Sequence, residues 1–583
     1  MDDAGKHRGI RGDGLLLHAL ALLLAFAAAP GAWAQATAPA DAARAAERIQ
    51  REEQDRQRQQ FLQDQQRRAP PVSIEMPPAP LSAPGSAAGC VDIREITIDG
   101  APNLPQAERD RISSTFTNRC LYVADIEKIL AEITRNYIER GYATTRAYIQ
   151  QQDISAGKLE LLVVEGVLEK LLLRGGAAKS VSKGNVFPGL ENEPLNLRSL
   201  EQGLNQVNRL GSNSATLDIA PGEKPGGSVV TIDNTPRRPY SFLLSADNQG
   251  SSSTGRDQLG ATFSFDSPLG FNDFISLTHR QTVPADVFPR RSLADSLSYT
   301  LPFGFSTVSL GWSRSSYIST FTVPSGLQLQ TSGNSVLGFL RVDRVVYQDL
   351  NSRATLSATV TSKNSHNFLA QDLLAVSSRK LAVANIDANY STGVMDGVLG
   401  LDLGWSQGLT ALGALRDVSG LPDTAPRAQF RKVRYGANFG VPFTLFGQEA
   451  RFGSQLSGQR AQDPLYSSEQ ISVGGIYAVR GFFDSSLAGD DGFVMRNDLA
   501  LNFPVALPGD VPASVRPYIG LDYGRARSKA PGNLEGALSG AALGIGLSSS
   551  RFDLDVFYAK ALSRPAAMPR EAGRLFVTLR VRI

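Results

Sequence analysis

At 583 residues the chain is too long for one ordinary hydrophobic core, so domain-size scaling calls for several structural units. Its 59 Lys and Arg nearly cancel its 56 Asp and Glu, and the resulting +3 is spread along the sequence, which argues against nucleic acid as the main partner.

Residues 15–29 form an apolar run preceded by Lys6, Arg8 and Arg11 and followed by Ala32-Trp33-Ala34, the pattern of a cleaved secretory signal over 1–34. The run is shorter than the roughly 20 residues a spanning helix needs, and no later segment supplies one. An exported chain of this kind is either soluble outside the cytoplasm or crosses a membrane as a closed barrel, which satisfies every backbone polar group. Export also gives Cys90 and Cys120 an oxidising compartment, where a disulfide between them is expected. Closing a loop of that length stabilises a small domain by roughly 3 to 4 kcal/mol in the chain-entropy picture.

Residues 41–68 are rich in helix formers and hold no Gly or Pro, which predicts a helix of several turns. Only Ile49, Phe61 and Leu62 interrupt its polar surface, so it belongs in water or in a polar cavity rather than on a core. Pro70, Pro71, Pro77, Pro78, Pro80 and Pro84 then make residues 69–89 an extended tether.

Residues 90–166 read as strand, helix, helix, strand, strand, from the alternating VDIREITIDG to KLELLVVEG. Asp125 is the expected N-cap of the second helix. Ile126, Ile129, Leu130, Ile133 and Tyr137 recur at helical spacing as its core face, and Gly141 supplies the stop. A second unit over 167–233 repeats the order, with Leu200, Leu204, Val207 and Leu210 on its helix. Each copy of this α+β module leaves a sheet edge able to take an extended segment of another chain.

From Arg237 the pattern becomes alternation in segments of about ten to fifteen residues separated by turn formers. Leu259, Ala261, Phe263 and Phe265 oppose Thr262, Ser264 and Asp266. Leu399, Leu401, Leu403 and Trp405 oppose Gly400, Asp402 and Gly404, and Phe552, Leu554, Val556 and Tyr558 oppose Asp553 and Asp555. A soluble sandwich buries the apolar face, whereas a membrane barrel turns it to lipid around a wet interior. About 16 antiparallel strands fit into 237–583, too many for one sandwich and an even number, as bacterial barrels have.

Between two alternating segments lies a long turn-rich stretch, 463–490, that contains Val479-Arg480-Gly481-Phe482, and downstream comes the strand-like Tyr518-Ile519-Gly520-Leu521-Asp522-Tyr523-Gly524. With the polar helix, the Pro-rich tether and the two repeated modules in this order, nearly the whole chain resembles the two-partner secretion (TpsB) transporters. These form a branch of the POTRA-bearing outer-membrane barrels, and the likeness is strongest to transporters of filamentous haemagglutinins. The resemblance implies a membrane β-barrel with two POTRA domains on the periplasmic side, and a plug helix at 41–68 that must leave the pore before transport. Val479, Arg480, Gly481 and Phe482 match the family's V-R-G-[YF] motif at the tip of a loop folded into the barrel, and Asp522 matches the acidic wall residue that pairs with the arginine. It further implies a secreted, haemagglutinin-like client with an N-terminal secretion domain, which the POTRA domains bind and which is threaded outward unfolded without nucleotide hydrolysis. Outer-membrane lipid and the barrel assembly machinery are implied as further partners. The sequence holds no metal-ligand spacing or phosphate-cradling glycine loop, so no cofactor and no metal are expected, and a monomer is expected to suffice because one barrel of this size can enclose a pore. An Arg fork on a carboxylate makes two parallel hydrogen bonds, which suits it to fixing a long loop. One departure is the end of the chain: such barrels usually finish on an aromatic residue, whereas this one finishes on Ile583, with Phe576 too far back to substitute.

An enzyme reading finds little to build on. Past the signal, His279 and His366 are the histidines, and the G-x-S-x-G string at Gly404-Trp405-Ser406-Gln407-Gly408 lies in an alternating strand, not in the strand-turn-helix elbow that hydrolases require. The nearest competitor is an insertase that assembles other barrels. Two POTRA modules and a plug-like helix favour an exporter over it, and a passive porin has no use for such modules.

Overall fold

A computed structural model describes residues 89–283, 290–322 and 328–583; the expected signal, plug helix and, apart from Gly89, the tether lie outside the described residues. The first module runs β1 (Val91–Ile93), β2 (Glu95–Asp99), α1 (Gln106–Phe116), β3 (Arg119–Leu121), α2 (Val123–Glu139), β4 (Arg146–Ile149) and β5 (Lys158–Val164). Its sheet order is β2-β5-β4, with a separate β1–β3 pair that the sequence reading lacked. Ile129, Ile133 and Tyr137 of α2 pack with Ile93 and Leu159, all fully buried. Asp125 is not the N-cap of α2. That position is Tyr122, and Asp125 sits one turn in, where its carboxylate accepts from the Tyr122 backbone N–H, the reciprocal half of a capping box. Gly141 follows the helix with φ +94°. Cys90 and Cys120 form a disulfide with Cα atoms 5.3 Å apart, tying the start of the module to β3.

The second module has β6 (Val167–Gly175), short helices α3 (Ala177–Ser180) and α4 (Lys183–Val186), α5 (Leu197–Asn208), β7 (Ala215–Pro221) and β8 (Gly227–Asn234), with sheet order β6-β8-β7. It is built into the next unit. On α5, the Gln202 and Gln206 side chains both donate to the carbonyl of Gly304, at 3.1 and 3.3 Å, while Gly304 N–H donates to Asn185 at 2.7 Å. Asp266 accepts from Ser212 N–H at 2.7 Å, and Asn272 accepts from Ser182 N–H at 2.6 Å.

The remainder is a closed barrel of 16 antiparallel wall strands. In chain order the elements are β9 (Tyr240–Asp247), β10 (Gln258–Asp266), β11 (Phe274–Thr282), β12 (Arg291–Phe303), β13 (Ser306–Thr322), β14 (Gln328–Gln348), β15 (Ser352–Leu369), the two-residue β16 (Asp372–Leu373), β17 (Arg379–Val394), β18 (Gly397–Leu409), β19 (Arg431–Leu445) and β20 (Gln448–Ala461). There follow a hairpin of β21 (Ile471–Val473) and β22 (Leu487–Gly489), then β23 (Asp491–Leu507), β24 (Val511–Arg527), β25 (Gly536–Ser549), β26 (Phe552–Ser563) and β27 (Arg574–Arg582). Closure pairs β27 with β9, and Ile583 exchanges backbone hydrogen bonds with Phe242. Leu310, Trp312, Leu340, Leu403 and Leu543 stand exposed on the outer face, while Ser, Thr, Asn, Asp and Arg line the interior. That inversion of inside and outside is what lipid outside and water inside demand. No helix among the described residues is long and apolar enough to cross a membrane. Short turns face the second α+β module and the long loops face away from it.

Candidate functional site

The lumen holds a cavity of about 1250 Å³ that begins beside Gln202 and Gln206 of α5 and is bounded farther in by the stretch joining β20 to β23. That stretch enters the barrel and is held at three places.

At its tip, Arg480 is 3% exposed and Asp522, on β24, is 3% exposed. Arg480 Nε donates to Asp522 Oδ2 at 2.6 Å and Nη2 to Oδ1 at 2.7 Å, while the Arg480 backbone N–H adds a third bond at 2.9 Å. Nη1 lies 2.8 Å from Asp498 on β23, so one guanidinium bridges two neighbouring wall strands. The wall makes room by omission. A Cβ at Gly520 would overlap the Arg480 guanidinium, and one at Gly540 would overlap the Arg480 carbonyl. Gly481 follows at φ +103° with its α-carbon against the β26 backbone at Lys560 and Ala561, a conformation and proximity that glycine alone tolerates without strain. Val479 and Phe482 are fully buried in a small core with Val473, Leu487, Val494 and Leu538. All four motif residues and Asp522 are thus gathered into one locus.

The descending limb is held by Glu571, whose carboxylate accepts from the Phe483 and Asp484 N–H groups at 2.7 and 3.1 Å and from the Ser485 hydroxyl. Asp484 pairs with Arg574 at 2.9 Å. Phe483 packs on Phe576, which stacks on Phe557. Phe576 therefore points into the lumen as a support of the loop, and is no surface aromatic displaced from the chain end.

The base is held by Glu469, 4% exposed, whose carboxylate meets Lys363 of β15 at 2.7 Å and Lys432 of β19 at 3.2 Å. Lys432 also donates to the Glu469 carbonyl at 2.6 Å. Burial alone would raise the Glu469 carboxyl, but the two ammonium groups hold it below the ordinary range, at about 2.

Sequence reasoning named Arg480 and Asp522 but missed Asp498, Glu469, Lys363, Lys432 and Glu571. Asp498 had a legible signal: like Asp522 it is an acidic residue on a polar strand face. The lysines had none, since their partner arrives from more than thirty residues away in the chain. Ser406 accepts from Arg434 Nε at 2.8 Å and donates to Asn385 at 2.7 Å inside β18, so the G-x-S-x-G string is part of a wall hydrogen-bond network.

Residues 226–547 match the family described as haemolysin secretion/activation protein ShlB/FhaC/HecB, and residues 91–166 and 168–221 match a ShlB-type POTRA domain and a POTRA domain. The chain belongs to this family of two-partner secretion outer-membrane transporters. It is 32% identical over 501 residues to the outer membrane transporter CdiB of Escherichia coli, covering 85% of this chain and 83% of that protein. To the haemolysin transporter ShlB of Serratia marcescens it is 34% identical over 473 residues, covering 81% and 80%. The solved structure of CdiB from Escherichia coli superposes with a TM-score of 0.80 at 30% identity, covering 94% of this chain and 99% of that one. The barrel accordingly sits in the outer membrane, with its POTRA domains in the periplasm, and the transporter acts with a secreted client protein.

Proposed function

We propose that this transporter binds an unfolded, haemagglutinin-like β-helical client through its POTRA domains and passes it through the lumen to the cell surface without nucleotide. The observation that carries the reading is the continuity of the path. The polar cavity opens beside α5 of the second POTRA domain and ends at an inward loop held by buried ion pairs. A wet, polar channel suits a chain in extended form, whose backbone groups need partners throughout transit. Edge strands β2 and β4 of the first sheet have no further strand partner among the described residues, which leaves an edge for pairing with such a chain. In this reading the Arg480–Asp522 pair is the latch that fixes the loop during barrel assembly and transport. The polar segment 41–68 is the plug, and Cys90–Cys120 stiffens the client-binding module.

The test is to express the chain in a Gram-negative host with the N-terminal secretion fragment of a candidate client and to measure that fragment in the medium. Export by the intact chain, with a sharp loss for Arg480→Ala at matched barrel levels, is the expected result. No export of a competent client, together with altered assembly of other outer-membrane barrels, would overturn the reading in favour of an insertase.

A further inference from the structure

The outer face of β11–β15 departs from the lipid-facing pattern over its last three rows. Reading across the strands by register, Ile275, Tyr299, Leu310, Leu340 and Val360 form one outward row, and Leu277, Leu297, Trp312 and Gly338 form the next away from the POTRA domains. One step farther the row becomes His279, Asp295, Arg314 and Val336. Beyond it come Gln281, Leu293, Ser316, Asn334 and His366, and then Arg291, Ile318, Ser332 and Phe368. Because the short turns at Gly304 and Asn272 face the POTRA domains, these polar rows lie at the extracellular end, where the apolar band gives way to lipid headgroups.

A concave site opens on this face, with a volume of about 270 Å³, lined by Arg291, Arg314, Ser316, Ile318, Asn334 and Phe368. Both arginines are exposed, and neither guanidinium has an ion-pair or hydrogen-bond partner among the described residues. Arg291 enters from above and Arg314 from four residues below, about 13 Å apart along the strands at ordinary β-rise. The neighbouring Asp295 is already engaged by His279 Nδ1 at 2.7 Å. Ile318 and Phe368 give the site apolar flanks, and Trp312, one row beneath Arg314, continues into the apolar band. Two guanidinium groups over hydroxyl and amide donors, set directly above an acyl-compatible wall, match a phosphorylated sugar headgroup whose acyl chains run down the barrel.

We propose that this site binds the phosphorylated headgroup of an outer-leaflet glycolipid. The inference rests on the placement of the barrel in the outer membrane and not on the export mechanism. The test uses full-length chain purified in detergent, stripped of co-purifying lipid, and titrated with bisphosphorylated lipid A, phosphatidylglycerol or inorganic phosphate under native mass spectrometry. The expected result is preferential retention of one lipid A, weakened about tenfold or more when Arg291→Gln and Arg314→Gln are combined. Arg291→Lys with Arg314→Lys should recover part of it. Arg344→Gln, an outward arginine at the periplasmic end of β14, should leave retention unchanged. Heat-modifiable electrophoresis verifies that each variant is a folded barrel, and the lysine pair serves if the glutamine pair does not fold. Equal retention by the glutamine pair, an equal loss with Arg344→Gln, or equal binding of phosphatidylglycerol would overturn the proposal. Binding of inorganic phosphate with the same arginine dependence but no lipid A retention would assign the site to a free anion instead.

Discussion

The two ends of the inward loop are held by clamps of opposite polarity. At the tip one cation, Arg480, meets two carboxylates, Asp522 and Asp498; at the base one carboxylate, Glu469, meets two cations, Lys363 and Lys432. The difference lies in what each cation fixes. A guanidinium is planar and directional, so its two parallel bonds to Asp522, with a third from the Arg480 backbone N–H, set the orientation of the tip as well as its position. Ammonium groups are point charges on flexible stems, and two of them converging from β15 and β19 fix where the base sits without fixing its orientation. The Asp498 side chain is 42% exposed, whereas Glu469 and Lys432 are nearly dry. The tip therefore has a wetter flank than the base, where Lys363, at 19%, is the most exposed partner.

The largest effect is expected at the tip. Arg480→Ala should loosen the loop by about 3 to 5 kcal/mol, reduced by access of water to Asp498, because it leaves two carboxylates facing each other. Faster protease cleavage of the loop in folded barrels measures it. Arg480→Lys, which keeps charge without the fork, should restore only part of the protection; full restoration would show that orientation does not matter there. As a remote control, Cys90→Ser with Cys120→Ser should destabilise the first POTRA domain by roughly 3 to 4 kcal/mol. Denaturant unfolding followed in that domain, with barrel heat-modifiability unchanged, is the expected pair of readings.

A smaller change is expected at the base. Glu469→Gln keeps one of the two side-chain acceptors, turns the other into a donor facing a lysine ammonium and loses the charge, costing about 1 to 3 kcal/mol, with cleavage rising between residues 463 and 470 and not at the tip. The smallest and most discriminating effect is with pH. The Glu469 value of about 2 lies below the ordinary 4.5, so its stabilisation is fully present above about pH 4.5 and is lost as pH falls through about 2. Loop protection in the parent should fall over that window, and Glu469→Gln should remove that part of the acid dependence. An identical profile in both would show that Glu469 does not carry it.

Much of the architecture was legible because it rests on local periodicity. Alternation over 237–583 gave the barrel and its wall count, since lipid on one face and water on the other impose a period of two on every strand. Helical spacing at Ile126, Ile129, Ile133 and Tyr137 likewise gave the core face of α2. The misplaced cap at Asp125 shows where local reading stops, because N-cap and N3 positions differ only in which backbone N–H the carboxylate meets. Arg480 and Asp522 were legible only together with their family pattern, as 42 residues separate them.

By itself the sequence determined what depends on neighbours in the chain: two α+β modules, outward apolar strands, and a turn-rich stretch too long for a hairpin. Tertiary structure alone decided which strands receive that stretch. Glycines at 520 and 540 admit its tip, Lys363 and Lys432 meet at Glu469, and Phe576 turns inward beneath Phe483. Those choices follow from barrel closure, which brings residues remote in sequence to the same height on a curved wall, where burial makes an unpaired charge costly and a missing Cβ indispensable.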